Sequence, residues 1–243
     1  MISKALLKRD IKISLKLWLV ITGTMAGLLF LLMFSTKGMA GNGSSVVAQF
    51  YTLFGPLLFV FFAGPTGNKL IAAQVDNGSL AYVMSAPLKR TQVALTQAIF
   101  SIGSVAAMYV VFMAVGFLGN ALLGTMIETK AFLLLNLGSF LLAVCTAGIG
   151  YFASCLFNSA GKSISIGVGV PMAFVILNLM ALIFANNDLL KLCKYITLNT
   201  LLNATHILSY SVNMIWEFLI MLAIGVALYA SGMMIFRKKD LPL

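Results

Sequence analysis

The sequence predicts an all-α integral membrane protein: six transmembrane helices, an amphipathic interfacial helix at the amino terminus, and both termini cytoplasmic. Three observations carry this prediction. Charged residues are scarce: 16 Lys+Arg and 6 Asp+Glu make 9% of 243 residues, while 61% are hydrophobic. Soluble domains carry roughly 25% charge. Six of the uncharged runs between those charges contain an apolar stretch of about 20 residues, the length of a helix that crosses a bilayer. Lys and Arg also fall unevenly on alternate connecting segments. A soluble fold could not cover its surface with so little polarity, and disorder requires low hydrophobicity.

The elements follow in chain order. In residues 1–16, Lys4, Lys8, Lys12 and Lys16 recur at every fourth position and form a stripe on a helix. Ile2, Leu6, Ile13 and Leu17 fall on another face. This pattern fits a helix lying on the membrane surface, its lysines meeting anionic headgroups. The apolar region that follows is longer than the ~7–15 residues of a signal peptide. Spans are expected at 17–35, 47–68, 92–122, 132–157, 163–185 and 214–236. Gly23 and Gly27 form a GxxxG in the first, a spacing that lets helices approach closely. Pro56 and Pro171 should bend the second and fifth, since proline lacks the backbone N–H.

Two runs need separate treatment. The uncharged run 91–127 would reach about 55 Å as a helix, against a hydrocarbon core of about 30 Å. Either the helix tilts and projects, or its end with Gly116, Gly119 and Gly124 is interfacial. The run 195–216 is long enough to cross but holds nine strongly polar residues: Thr197, Asn199, Thr200, Asn203, Thr205, His206, Ser209, Ser211 and Asn213. Segment 189–212 is therefore expected to be a non-spanning element at the outer face.

Orientation follows from the basic residues. With six spans, Lys4, Lys8, Arg9, Lys12, Lys16, Lys69, Lys89, Arg90, Lys162, Arg237, Lys238 and Lys239 share one side, and Lys37, Lys130, Lys191 and Lys194 the other. Twelve against four places both termini inside. The formal charge of +10 would suggest nucleic acid in a soluble protein. Here the flanks of apolar spans account for it, and no nucleic-acid partner is expected.

No catalytic or metal-binding constellation is apparent. Ala160-Gly161-Lys162-Ser163 resembles the end of a P-loop, but that motif needs glycine where Leu156 stands. His206 is the single histidine. Cys145 and Cys155 lie about 15 Å apart along one span, too far to bridge, and Cys193 stands on the outer side. Glu217, beside Trp216 near the outer end of the last span, and Asn136 and Asn178 within spans are polar enough to line a path. Interhelical hydrogen bonding would explain the two asparagines equally well.

The cytoplasmic segment 69–91 is the conspicuous one. It is too polar for lipid and too apolar for a free linker. Asp76-Asn77-Gly78 signals a turn. Leu80, Val83 and Met84 then recur at helical spacing and stop before Pro87, predicting a short amphipathic helix. The apolar face of that helix needs cover, and a second protein docking here is the economical inference.

The run Lys69 to Thr96 resembles the signature of ABC exporter permeases of the second class (ABC-2). It contains Val75-Asp76-Asn77-Gly78-Ser79-Leu80, Ser85-Ala86-Pro87, Lys89-Arg90 and Leu95-Thr96. The layout of six spans, internal termini, basic amino-terminal helix and outer polar segment is similar too. One departure is Gln74, where relatives often have Glu.

The resemblance implies that Gln74, Val75, Asp76, Asn77, Gly78, Ser79, Leu80, Tyr82 and Val83 form the coupling contact with a separate ATP-binding subunit. ATP and magnesium would then reside on that partner, with no cofactor and no enzymatic activity in this chain. It further implies a second permease chain, a bacterial plasma membrane location, and an outer re-entrant element at 189–212. The chain is also similar to small Firmicute-type permeases, among them those exporting amphipathic toxin peptides such as phenol-soluble modulins. A hydrophobic or amphipathic substrate, such as a peptide toxin or antimicrobial peptide, follows by analogy. Two rivals from other classes are an ion-gradient-driven secondary transporter or channel, and a non-transporting scaffold or immunity protein. The scarcity of intramembrane charge argues against the first and the coupling signature against the second.

Overall fold

The computed structural model describes residues 3–36, 43–85, 89–123, 128–184 and 197–239. Those residues are almost wholly helical, as a bilayer demands: without water, each backbone N–H and C=O must be bonded within the chain. Six helical stretches are long and apolar enough to cross, namely Lys4–Ser35, Ser44–Leu70, Arg90–Leu123, Thr129–Leu156, Ala160–Ile183 and Asn213–Lys238.

Helix α1 (Lys4–Ser35) is capped by the Ser3 hydroxyl, which accepts from the Leu6 N–H. The expected division into a 1–16 element and a 17–35 span is not a break: α1 is one continuous helix of 32 residues. Its inward stripe is Leu6, Asp10, Ser14, Thr22, Met25, Leu29 and Met33, at near-helical spacing, and Lys4, Lys8, Lys12 and Lys16 are exposed.

The second crossing is composite: α2 (Gly43–Gln49), a π-helical turn (Phe50–Phe54), then α3 (Gly55–Leu70). The Gly55 N–H donates to the Phe50 carbonyl, five residues back. Pro56 follows immediately, and its missing N–H and bulky ring disfavour an ordinary α-turn there. Two short helices come next, α4 (Ala72–Asp76) and α5 (Ser79–Met84). Then come α6 (Arg90–Leu123), α7 (Thr129–Leu156) and α8 (Ala160–Ile183). Helix α6 resolves the overlong run as 34 continuous helical residues. Gly116 and Gly119 are packing positions against Phe132 and Met33. Pro171 lies buried inside α8, which continues through it.

Residues 197–212 hold a 3-10 turn (Leu198–Leu201) and α9 (Ala204–Leu208), too short to cross. Leu202 and Ile207 anchor them to the main core. The last crossing is α10 (Asn213–Lys238). The remainder of the outer segment, 189–196, lies outside the described residues, as do Pro87 and Cys193.

Helix α7 is the centre of the bundle. In its most apolar stretch 67% of residues are buried, against 22% for α1, α8 and α10, which leaves those three free to face lipid. Its small residues allow close approach. A Cβ added at Gly67 of α3 would lie 2.6 Å from the Gly150 carbonyl carbon, and one at Gly150 only 2.8 Å from the Ala63 oxygen. Gly167 of α8 closes the junction, its Cβ position 3.3 Å from Gly150 Cα. The GxxxG of the first span does not do this. Nothing lies within 4 Å of a Cβ at Gly23 or Gly27. Spacing put both on one face, but α1 turns the Met25–Leu29–Met33 face inward instead.

Both described ends meet the start of α6. The Ser3 N–H donates to Thr96 Oγ1 at 3.2 Å, and Arg90 Nη1 to the Lys239 carbonyl at 2.8 Å. The predicted basic side is thus one end of the bundle, and it carries the segment 71–85.

Candidate functional site

The chain leaves α3 at Ile71, whose φ of −133° and ψ of −60° break the helix. The freed N–H groups of Ile71 and Ala72 both donate to Ser154 Oγ of α7, at 3.2 and 2.8 Å. Gln74 Nε2 donates back to the carbonyls of Lys69 (3.0 Å) and Leu70 (2.8 Å), and Gln97 Nε2 reaches the Leu70 carbonyl from α6. Buried side chains therefore satisfy the backbone groups exposed by the helix break.

The turn sits where the sequence placed it. Asn77 Oδ1 accepts from the Ser79 N–H at 3.0 Å. Gly78 has φ +71°, the left-handed region that glycine enters without a Cβ clash. Asp76 Oδ2 accepts from the Ala160 N–H at 3.1 Å, at the start of α8. A carboxylate at a helix amino terminus satisfies an orphan donor and meets the positive end of the helix dipole. The Gly161-Lys162-Ser163 stretch is thus the first turn of a helix whose amino end takes an internal carboxylate.

The coupling residues divide into two sets. Gln74, Val75 and Leu80 are buried, with Leu6, Leu70, Ile71, Val93, Ala94 and Phe100 completing their apolar surroundings and Val83 packing on the edge. Asp76, Asn77, Gly78 and Tyr82 are exposed, and Ser79 is half-buried. This corrects the reasoning for Leu80, which is buried in one apolar cluster with residues of α1, α6 and α7 of the same chain, while Val83 is only half-buried. The outward group is Tyr82, 84% exposed.

Gln74 also binds inward. Its Oε1 accepts from Arg9 Nη2 at 2.9 Å, while Arg9 bonds Asp10 Oδ1 at 3.0 Å. Asp10, only 2% exposed, is a residue the sequence reasoning overlooked. Its signal was available, as the one acid among the basic residues of the first turns. Lys239 was likewise read only as a topology charge. Its Nζ donates to the Cys155 carbonyl at 3.0 Å, and burial holds the ammonium below the usual lysine range.

The three polar residues expected within spans share no hydrogen bond with this segment or with one another among the described residues. Asn136 Nδ2 donates to Tyr51 Oη at 2.6 Å. With Tyr109, Met113 and Phe140 it lines an open groove of about 350 Å³ between α6 and α7. Asn178 is half-buried on α8. Glu217 Oε1 lies 2.6 Å from His206 Nδ1, tying α10 to α9. Nearby, Lys130 Nζ stands 4.6 Å from the Tyr210 ring centre, and a hydrogen bond to Glu128 raises the Tyr210 phenol above its usual range.

Cys145 and Cys155 are free and buried. Among the described residues no cluster of three or more His, Cys, Asp or Glu groups is placed to hold a metal.

No match to the chain was found among curated proteins. Comparison with protein families matches residues 19–241 to ABC-2 family transporter proteins. With six bilayer-length helices and a match that covers nearly all of them, the chain belongs to the ABC-2 transporter family and is a multi-pass membrane protein.

Proposed function

We propose that this chain is the permease subunit of an ATP-driven exporter, and that segment 71–85 transmits the movement of a separate ATP-binding subunit. The observation that carries this reading is the contrast within the segment. Its entry is clamped, Ser154 holding the Ile71 and Ala72 N–H groups and Gln74 and Gln97 the Leu70 carbonyl just before it, while Tyr82 projects 84% exposed. A clamped strut transmits force, and a large aromatic at its tip is the kind of group that anchors an interface. The basic bias supports a cytoplasmic position for this face and both termini; in this reading the membrane is a bacterial plasma membrane, and ATP and magnesium act on the partner. Two copies of the chain form the pathway, which suits family architecture.

The open apolar groove beside Asn136 suits a hydrophobic or amphipathic substrate, of which peptide toxins and antimicrobial peptides are examples. ATP binding draws the partner subunits together, the clamped segment moves, and the spans switch access from one face to the other. The 197–212 element closes the opposite face.

Purification of the chain from native membranes should recover an ATP-binding subunit. In that complex, Tyr82→Glu should weaken association at least about tenfold, as loss of an aromatic interface anchor does. Recovery of no such subunit, together with ion-gradient-driven transport by the chain alone in liposomes, would establish a secondary transporter instead.

Gly78 gives a separate prediction. Among the described residues, no atom beyond its chain neighbours lies within 4 Å of a Cβ at that position, so a substitution acts chiefly through backbone strain. Valine at φ +71° should cost about 1–3 kcal/mol, whereas asparagine tolerates the left-handed region. Gly78→Val should lower the substrate moved per ATP hydrolysed, and Gly78→Asn should leave that ratio near wild type. Equal ratios for both variants would remove the turn from the mechanism.

A further inference from the structure

A second feature at the basic face lies beside the coupling segment, sharing Leu7 and Phe100 with its apolar packing. Helices α1 and α6 touch at two polar points, Ser3 N–H to Thr96 Oγ1 at 3.2 Å and Trp18 Nε1–H to the Ser104 carbonyl at 2.9 Å. Between these points they part, leaving a laterally open groove of about 410 Å³. Leu7, Ile11, Leu15 and Trp18 line it from α1, and Ile99 and Gly103 from α6. Gly103 has open space in front of it, with nothing within 4 Å of an added Cβ.

The volume falls within the ~300–1,000 Å³ typical of sites for small organic ligands. It would hold little more than about one turn of a helix 10–12 Å across, so an extended, flexible apolar chain is the better fit. Charge selects among such chains. Lys4 stands three residues before Leu7, and Lys8 three before Ile11, so both lie at the amino-terminal end of the groove on neighbouring helix positions. Both are exposed, and among the described residues neither takes part in a salt bridge.

We propose that the α1–α6 groove is a binding site for an anionic phospholipid. One acyl chain lies along Leu7, Ile11, Leu15 and Ile99, and the phosphate headgroup meets Lys4 and Lys8. The apolar lining excludes water from the chain, and the exposed ammonium groups favour negative headgroups over zwitterionic ones.

The chain carries its own reporter, because it has only two tryptophans and Trp18 lines the groove while Trp216 begins the last span. The full-length Trp216→Phe variant would be reconstituted in phosphatidylcholine vesicles. Dibrominated phosphatidylglycerol or dibrominated phosphatidylcholine would be added in increasing fractions while Trp18 fluorescence is read. Brominated phosphatidylglycerol should quench at a fraction roughly five-fold or more lower than brominated phosphatidylcholine. Lys4→Gln combined with Lys8→Gln, both at exposed positions, should abolish that preference. Gly103→Leu, which fills the groove, should reduce quenching by both lipids. Trp18→Phe, leaving Trp216 alone, should show no preference. Equal quenching of Trp18 by the two lipids, or a preference that survives the double lysine change, would overturn the proposal. Absence of quenching by either lipid would mean that a protein segment covers the groove, and overturns it as well.

Discussion

Gly150→Val should severely destabilise the bundle. A Cβ there meets the Ala63 carbonyl oxygen at 2.8 Å, and the Gly67 position meets the Gly150 backbone at 2.6 Å from the other side. These obstacles are backbone atoms, which no rotamer change can move. The α3 and α7 axes would have to separate, taking the packing of both helices with them. Overpacking a core costs about 1–3 kcal/mol when side chains can adjust, and here the loss should be about 3 kcal/mol or more. Native domains are stable by only about 5–15 kcal/mol. In detergent, Gly150→Val and Gly67→Val should both show a large fall in unfolding temperature or elute as aggregate. Gly23→Val and Gly27→Val, with nothing within 4 Å, should change stability by no more than about 0.5 kcal/mol. If all four behave alike, the α3–α7–α8 junction is not what holds these helices together.

Arg9→Ala should be a strongly damaging change on the basic face. Asp10 is 2% exposed, and its only described partner is Arg9, on Oδ1; Oδ2 has none. Removing one member of a fully buried ion pair costs about 3–5 kcal/mol, because the other charge is stranded. The Arg9 side chain is 32% exposed, so water and salt screen part of that interaction and about 2 kcal/mol is the appropriate expectation. Asp10→Asn keeps the shape and removes the stranded charge, so it should cost much less. The double variant should recover most of the loss from Arg9→Ala. A double-mutant cycle on unfolding in detergent measures this directly. Strict additivity would mean the two residues act independently. Arg9 also holds Gln74, so the same variant should loosen the segment beneath Tyr82 and raise hydrogen exchange at Ile71 and Ala72.

These two cases also show what a single sequence can convey. The six crossings were legible because charge is intolerable in lipid, so sixteen basic and six acidic residues punctuate the chain. The turn at Asp76-Asn77-Gly78 was legible because its chemistry is local. The cover over Leu80 was not, since it comes from Leu6, Val93 and Ala94, residues up to 74 positions away. Pattern reasoning saw an apolar face and supplied a partner protein for it. The glycine junction failed for the same reason. Spacing within one helix identifies a small-residue face, but contact depends on which helix the fold brings opposite, and Gly67 and Gly150 belong to different crossings. Gln74 reads as a weakened acidic contact until Arg9 is found beside it.

The continuity of α1 has a mechanical consequence. A helix of 32 residues is a stiff rod about 48 Å long. Near one tip it is fastened to the Gln74 segment through Arg9, and near the other it is wedged by Met33 against Gly119 of α6. The Trp18–Ser104 bond lies between them, where a pivot would sit. A lever of that shape converts a small displacement at the basic face into an opposite one at the far face without any break in its own hydrogen bonds. In a rod held this way, torque rather than a chain of side-chain rearrangements would carry a displacement from one end to the other.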